Sequence, residues 1–214
     1  MKKLTVLFAL LCTAAWLFPV LPAAAQDSKI VVRMTDGTQK EGYLRSAFHS
    51  GVHHIDLSDE PTGTTERCPA DRIEEVTFRN ADGTQTRFVK DYFYRLTGGK
   101  KKYAKRRPLL FRVDYEGRGI KLLTELREEE ETRGLHTFIK KERWYYAKRD
   151  GDPAAKTIGG ETLDGNNMRE VNSFKTFAKR TFKDCPDLIR RIDNNEFSIK
   201  DPVALIKAYE QTAR

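Results

Sequence analysis

This chain is poor in the residues that most often carry chemistry. It holds three cysteines, four histidines and three methionines among 214 residues. No cysteine pair stands at zinc-binding spacing, and no phosphate-binding glycine loop, Gly-x-Ser-x-Gly elbow or His-Glu-x-x-His helix occurs. Enzymes that depend on those motifs are therefore excluded. Carboxylates are plentiful, but in a chain that is 33% charged their presence carries no weight.

Long apolar runs are also scarce. One exists, "LTVLFALLCTAAWLFPVL" from Leu4 to Leu21, and nothing of bilayer-spanning length follows it. Lys2 and Lys3 precede it and Ala23 to Ala25 follow, which is the pattern of a cleaved export signal covering residues 1–25. Pro19 and Pro22 argue against a retained membrane helix, and Leu11 is too bulky before Cys12 for a lipoprotein cleavage site. The expected product runs from Gln26 to Arg214, a soluble chain exported to the periplasm, the envelope or the medium. Losing Lys2 and Lys3 lowers the formal net charge of +8 by two. The remaining surplus favours acidic surfaces weakly and does not call for specific nucleic-acid binding.

What is present is β-rich first and helical last. From 26 to 90, "KIVVRM", "QKEGYLRSAF", "VHHIDLS", "DRIEEVTFR" and "QTRFVK" alternate in strand fashion, and Asp-Gly turns interrupt them at "TDGT" and "NADGT". That density of short strands predicts a small antiparallel barrel of SH3-like or Sm-like kind, with "DEPTGTTERCPA" as a polar loop. From 91 to 160 a charged β-meander is expected. It includes strands at "LLFRVDYEG" and "GIKLLTEL" and a long arm at "GLHTFIKKERWYYAKRDGD". His136, Phe138, Trp144 and Tyr146 share one face of that arm, with Lys140 and Glu142 breaking its apolar stripe. "GDPAAKTIGGETLDGNN" reads as a loop. From 161 to 214 the period becomes helical. Phe174, Phe177, Ala178 and Phe182 form one stripe, and Leu188, Ile189 and Ile192 a second. Asp201 and Pro202 open a third helix whose Val203, Ile206 and Tyr209 face inward. The fold class is α+β, a small barrel and further meander followed by a cluster of short helices packed on the sheet.

Four stretches together, "VVRMTDGTQKEGYL", "PADRIEEVTF", "WYYAKRDG" and "FKTFAKRTFKDCPDL", resemble exported proteins of Bacteroidota that have no assigned function. The resemblance implies an envelope or secreted location and the same β-then-helix architecture. It implies no catalytic residues.

Candidate sites are few. In "FKDCPDL", Cys185 stands at a helix start, where unpaired N–H groups favour a thiolate, but the neighbouring Asp184 opposes that. With Cys68 it could instead form a disulfide, as two cysteines in an exported chain invite; inert buried thiols are the third possibility. An enzyme would need Cys185 joined by His136 or His54 through the fold. His49, His53 and His54 lie close in sequence, yet His53 and His54 point to opposite faces of a strand, so no metal site is expected. The densest charge feature is "GGKKKYAKRRP", in which Lys100, Lys101, Lys102, Lys105, Arg106 and Arg107 surround Tyr103. Such a segment either binds a polyanion or forms a solvated hairpin balanced by Glu128 to Glu131. Tyr92, Phe93, Tyr94, Trp144, Tyr145 and Tyr146 are candidates for a contact surface, half or more of them expected in the core. The function expected is a non-enzymatic binding or assembly module for an acidic polysaccharide or an envelope protein, with no cofactor. Intact mass of the exported protein should correspond to a chain starting at Gln26; a mass retaining residues 1–25 would show an uncleaved anchor instead.

Overall fold

The computed structural model describes residues 29–46, 48–80, 82–97, 100–103, 108–133, 136–164, 167–170 and 174–212. In chain order the strands are β1 (Lys29–Met34), β2 (Gln39–Leu44), β3 (His54–Ser58), β4 (Thr65–Pro69), β5 (Ile73–Arg79), β6 (Gln85–Asp91), β7 (Phe93–Thr97), β8 (Lys100–Tyr103), β9 (Leu109–Gly117), β10 (Ile120–Arg133), β11 (His136–Arg149), β12 (Ala155–Asp164) and β13 (Asn167–Glu170). Three helices close the chain: α1 (Phe174–Thr181), α2 (Pro186–Asp193) and α3 (Pro202–Thr212).

The fold is α+β, with strands first and helices last. The strands join edge to edge in the order β4-β3-β2-β1-β5-β6-β9-β10-β11-β12-β7-β8, and β13 also pairs β12. All neighbours are antiparallel except β7 and β12, which run parallel where Phe93 meets Ala155. The sheet is open. Among the described residues β4 pairs only with β3 and forms an edge, while β5 continues through β6 into the rest of the sheet, so the expected small barrel is not closed off as a unit. The first strands still wrap a common core of Ile30, Val32, Leu44, Ile55, Leu57, Val76 and Phe88, with the Phe48 ring tilted against Phe78 and edge-on to Phe88.

β10 and β11 form the spine, in register from Ile120 opposite Arg149 to Arg133 opposite His136. Side-chain alternation gives this hairpin two different faces. One face sends Ile120, Leu122, Tyr145 and Ala147 into a cluster with Phe174, Phe182, Leu188, Ile192, Leu205 and Ile206 from the helices. The opposite face sends Leu123 and Tyr146 against Phe93 and Phe111, whose rings meet Tyr146 edge-on. In α3 the inward set is Leu205, Ile206 and Ala208; Val203 and Tyr209 pack beside them, half-buried.

Two segments expected to be loops are strands. β4 lies inside "DEPTGTTERCPA"; only Cys68 of its five residues is buried, so an edge strand shows no apolar alternation. β12 occupies "AKTIGGETLD", where the glycines suggested a loop. A side chain at Gly159 would meet Ile199 Cδ1 at 2.6 Å and Phe174 at 3.1 Å, and one at Gly160 would meet the Trp144 ring at 2.8 Å. These glycines let a helix approach one face of the strand and an indole the other. Ile158 is the extra residue of a bulge beside them, since Tyr145 opposes Gly159 while Tyr146 opposes Thr157.

Polar anchors tie the helices to the sheet. Arg149, the last residue of β11, donates Nη1 to Asp184 Oδ2 at 2.6 Å, and its Nη2 to Asp184 Oδ1 and to the Thr181 carbonyl, both at 3.0 Å. Its guanidinium lies over Tyr209 at 4.6 Å and Phe182 at 5.3 Å. Beside Tyr209 on α3, Glu210 accepts from the Tyr115 hydroxyl at 2.7 Å and from the Arg118 backbone N–H. Asp201 caps α3 by accepting from the Ala204 N–H at 3.1 Å, as Asp-Pro at its start predicted.

Bonds from Arg149 hold the Asp184 carboxyl below its ordinary pKa. A depressed carboxylate contributes stability that is complete above the unfolded value, near pH 4, and is lost as pH falls through the lower folded value. Asp184 is 58% exposed, so removing Arg149 strands no buried charge. Arg149→Met should therefore cost about 2 kcal/mol through lost charged hydrogen bonds and ring contacts. Thermal melts should show a fall of roughly 4–8 °C, and the gap between the wild-type protein and Asp184→Asn should close below about pH 4.

Candidate functional site

Cys185 occupies the N-cap position of α2, with Pro186 as the first helical residue. Its thiol makes no capping bond; Sγ lies 3.2 Å from Thr212 Oγ1, in the space between α2 and the end of α3. The "DCP" element thus serves the helix layer. Asp184 is the Arg149 anchor, Cys185 fills the junction beside it, and Pro186 starts the next helix.

Neither His136 nor His54 comes close to Cys185. His136 stands at the far end of β11 from Arg149, which itself touches Asp184. Thirteen residues of extended chain separate His136 from that end, roughly 40 Å at strand rise. His54 is exposed on β3 opposite Pro69, away from the helix layer. The bridge between Cys68 and Cys185 is not formed either. Both thiols are free; Cys68 is buried, 1% exposed, in the core of the first strands, while Cys185 packs against the helix cluster on β9, β10 and β12. Burial raises the Cys68 pKa, and Glu66 adds to the shift, so this thiol is held protonated and inert.

The histidines do not gather a metal. His49 Nδ1 lies 2.9 Å from the Ser50 carbonyl, and among the described residues no three His, Cys, Asp or Glu side chains converge. A groove of about 370 Å³ opens between the β1–β2 turn and β4, lined by Asp36, Lys40, Glu66, Arg67, Cys68 and Arg72 among others. Its charges are largely spent on one another and on neighbours: Lys40 donates to both Glu66 oxygens at 2.7 and 2.8 Å, and Arg67 to Asp56 at 2.9 Å.

Sequence reasoning overlooked a polar network inside the β10–β11 arm. Glu125 and Glu142 are each 5% exposed. Glu125 accepts from Arg127 Nε at 2.7 Å and Nη2 at 2.8 Å, and from the Tyr146 hydroxyl at 2.5 Å. Arg127 lies over the Trp144 ring at 5.0 Å, and Trp144 Nε1 donates to Glu142 at 2.9 Å. Lys140 completes the chain with an ion pair to Glu142 at 2.6 Å. Burial works against the Arg127 charge, but the bonds to Glu125 and the field of Tyr146 outweigh it and raise its pKa. Lys140 and Glu142, which seemed to interrupt the aromatic stripe, belong to it as charged links between rings. The only hint was charged residues at every second position among aromatics. With its carboxylates paired, this network braces the arm.

Of the six aromatic surface candidates, Phe93, Tyr145 and Tyr146 are buried and the other three half-buried. The basic segment divides. Lys100 to Tyr103 form β8, an edge strand, whereas Lys105, Arg106 and Arg107 lie outside the described residues. Among the described residues β8 pairs only with β7: Lys100 opposes Thr97, Lys101 opposes Leu96, Lys102 opposes Arg95 and Tyr103 opposes Tyr94. No acid stands opposite a β8 lysine. Among the described side chains cations of the sheet pair with acids, as in Arg87 with Glu75 and Glu116, Lys121 with Glu116, Lys141 with Glu128 and Lys148 with Asp91.

No protein-family model matches this chain, and no curated protein and no solved structure matches it either. Among the described residues no helix is long and apolar enough to cross a membrane.

The free thiols give a direct check. In denaturant without reductant, both Cys68 and Cys185 should alkylate completely. In the native protein Cys68 should stay unlabelled while Cys185 reacts slowly; protection of both until reductant is added would restore the bridge.

Proposed function

We propose that this protein is an exported, non-enzymatic binding module of the bacterial envelope whose β7–β8 edge holds an acidic polymer, an acidic polysaccharide foremost and the acidic face of an envelope protein as the alternative. The observation that carries the reading is the register of β8. Three consecutive lysines lie on a sheet edge with no acid across from them, and Arg95 opposes Lys102. Like charges directly opposite one another destabilise a strand pair, so an incoming polyanion relieves a cost that the other strands avoid by internal pairing. Tyr103 stands opposite Tyr94 at the base of the hairpin, two residues of a type that packs on sugars. In the same reading the first five strands act as an SH3-like unit, and the sequence signal of residues 1–25 delivers the chain to the compartment where acidic glycans are met.

Edge lysines have a second consequence, because they discourage pairing with another strand. The two roles differ in what an added polyanion does. On an immobilised sulfated glycan such as heparin, the wild-type protein should be retained and elute as salt screens the contact. The triple variant Lys100→Ala, Lys101→Ala, Lys102→Ala should elute at clearly lower salt. A control lacking the exposed Arg180, Lys183 and Lys200 instead should elute close to the wild-type protein. Equal elution of the two triple variants would reduce the attraction to net charge and overturn the assignment to β8.

A further inference from the structure

The groove beside β4 runs along an unpaired strand edge. Glu66, Arg67, Cys68 and Pro69 all line it, although successive side chains of a strand point to opposite faces. A groove that touches four residues in a row follows the edge of the strand and not one of its faces. Its other wall is the β1–β2 turn, with Arg72 beside it. The groove is therefore the seam at which the first five strands stay open.

The backbone directions on β4 follow from its neighbours. The Arg45 N–H donates to the Asp56 carbonyl at 2.8 Å, so Asp56 turns its backbone groups toward β2. Arg67 stands opposite Asp56 on the other side, in a pair that exchanges no hydrogen bonds. Its N–H and C=O point away from β3, and by alternation so do those of Thr65 and the carbonyl of Pro69. The Ala70 N–H fixes the same phase, since it donates back to the His53 carbonyl at 2.8 Å. Among the described residues none of these outward groups has a partner. An edge strand in this state is a template for another.

Side chains do not guard this edge. Lys40 is held by Glu66 and Arg67 by Asp56, so both cations are neutralised. Pro69 has no N–H and ends the edge, which limits a guest to a short segment. Across the groove the turn is a fixed wall. Asp36 accepts from the Thr38 N–H at 2.9 Å and from its hydroxyl at 2.6 Å, and the Met34 N–H donates to the Thr38 carbonyl at 2.8 Å. Arg72 is exposed, and among the described residues its guanidinium forms no ion pair. It is the cation of the groove left for a guest. At about 370 Å³ the space is at the small end of ligand sites, which suits an extended segment and not a folded element.

We propose that this groove takes an extended acidic peptide of a partner protein, which adds to β4 as a new edge strand. Backbone bonds to Thr65, Arg67 and Pro69 hold the guest, and one of its carboxylates meets Arg72. The site is separate from the β8 lysines and does not rest on what they bind.

The probe is a short fluorescein-labelled peptide in which glutamate alternates with valine, read by fluorescence anisotropy. The protein carries Lys100→Ala, Lys101→Ala and Lys102→Ala, so that β8 does not compete for the probe. Binding should be saturable. Methylating the peptide nitrogens should weaken it about fivefold, the worth of one hydrogen bond, and replacing glutamate by lysine should abolish it. Arg72→Glu should weaken binding several-fold. Arg67→Pro should weaken it more than Arg67→Ala, because proline removes an outward N–H and leaves the ladder to β3 intact. Hydrogen exchange gives a readout that needs no groove variant. The Arg67 amide should exchange rapidly in the free protein and become protected by the peptide, while the Cys68 amide, directed at β3, stays protected throughout. No saturable binding, equal affinity for the methylated peptide, or an Arg67 amide that the peptide leaves unprotected would each overturn the proposal.

Discussion

The fourteen-residue pairing of β10 with β11 is the constraint on which the other elements depend. Because strand side chains alternate, one hairpin has to satisfy two different neighbours at once. Leu122, Tyr145 and Ala147 need the helices, while Leu123 and Tyr146 need Phe93 and Phe111. A one-residue slip would exchange these sets and put Tyr145, whose hydroxyl donates to Glu161 at 2.7 Å, on the wrong side. Burial on both faces therefore locks the register where the hairpin lies inside the sheet. Beyond Leu126 that lock is replaced by charge pairing.

Polar residues are placed where the apolar surfaces end. Arg149 sits where β11 leaves the sheet, and it holds the helix layer by a two-pronged bond to Asp184 while its flat guanidinium covers Phe182 and Tyr209. Glu210 does the corresponding work at the β9–β10 turn. Inside the arm, Glu125, Arg127, Trp144 and Glu142 continue the stripe that Tyr146 begins. A buried carboxylate between an arginine and a tyrosine hydroxyl costs far less than one left alone, and truncating a single partner would expose that difference. These contacts determine orientation more than they add stability. The apolar clusters supply the driving force, and the polar anchors select one arrangement of helices on sheet.

Charge is distributed with the same economy. Several lysines and arginines of the sheet pair with an acid on the next strand, as Lys29 does with Glu41 and Arg143 with Glu161. Along the chain, three lysines stand together on β8 at one edge and four glutamates in a row on β10. An open sheet must manage every edge it exposes. Here β8 carries three lysines, β4 ends in Pro69, and β10 carries four glutamates in a row.

How much of this was legible from residues alone varied with the range of the interaction. Asp201-Pro202, the alternation of "VHHIDLS" and the apolar stripes of α1 and α2 announce themselves because capping, strand and helix periodicities are local. The β-then-helix order and the lack of any motif-borne chemistry are set at the same level. Tertiary structure alone decided the rest. Gly159 and Gly160 look like loop residues until Phe174 and Trp144 are seen pressing on them. β4 offers no alternation because an edge strand has so little to bury. The strand order that leaves the sheet open, the separation of Cys68 from Cys185 into different clusters, and the roughly 40 Å between His136 and the Arg149 end of β11 are all products of long-range pairing. A sequence specifies which faces must be buried; which partner buries them, and so which residues meet, depends on contacts between segments far apart in the chain.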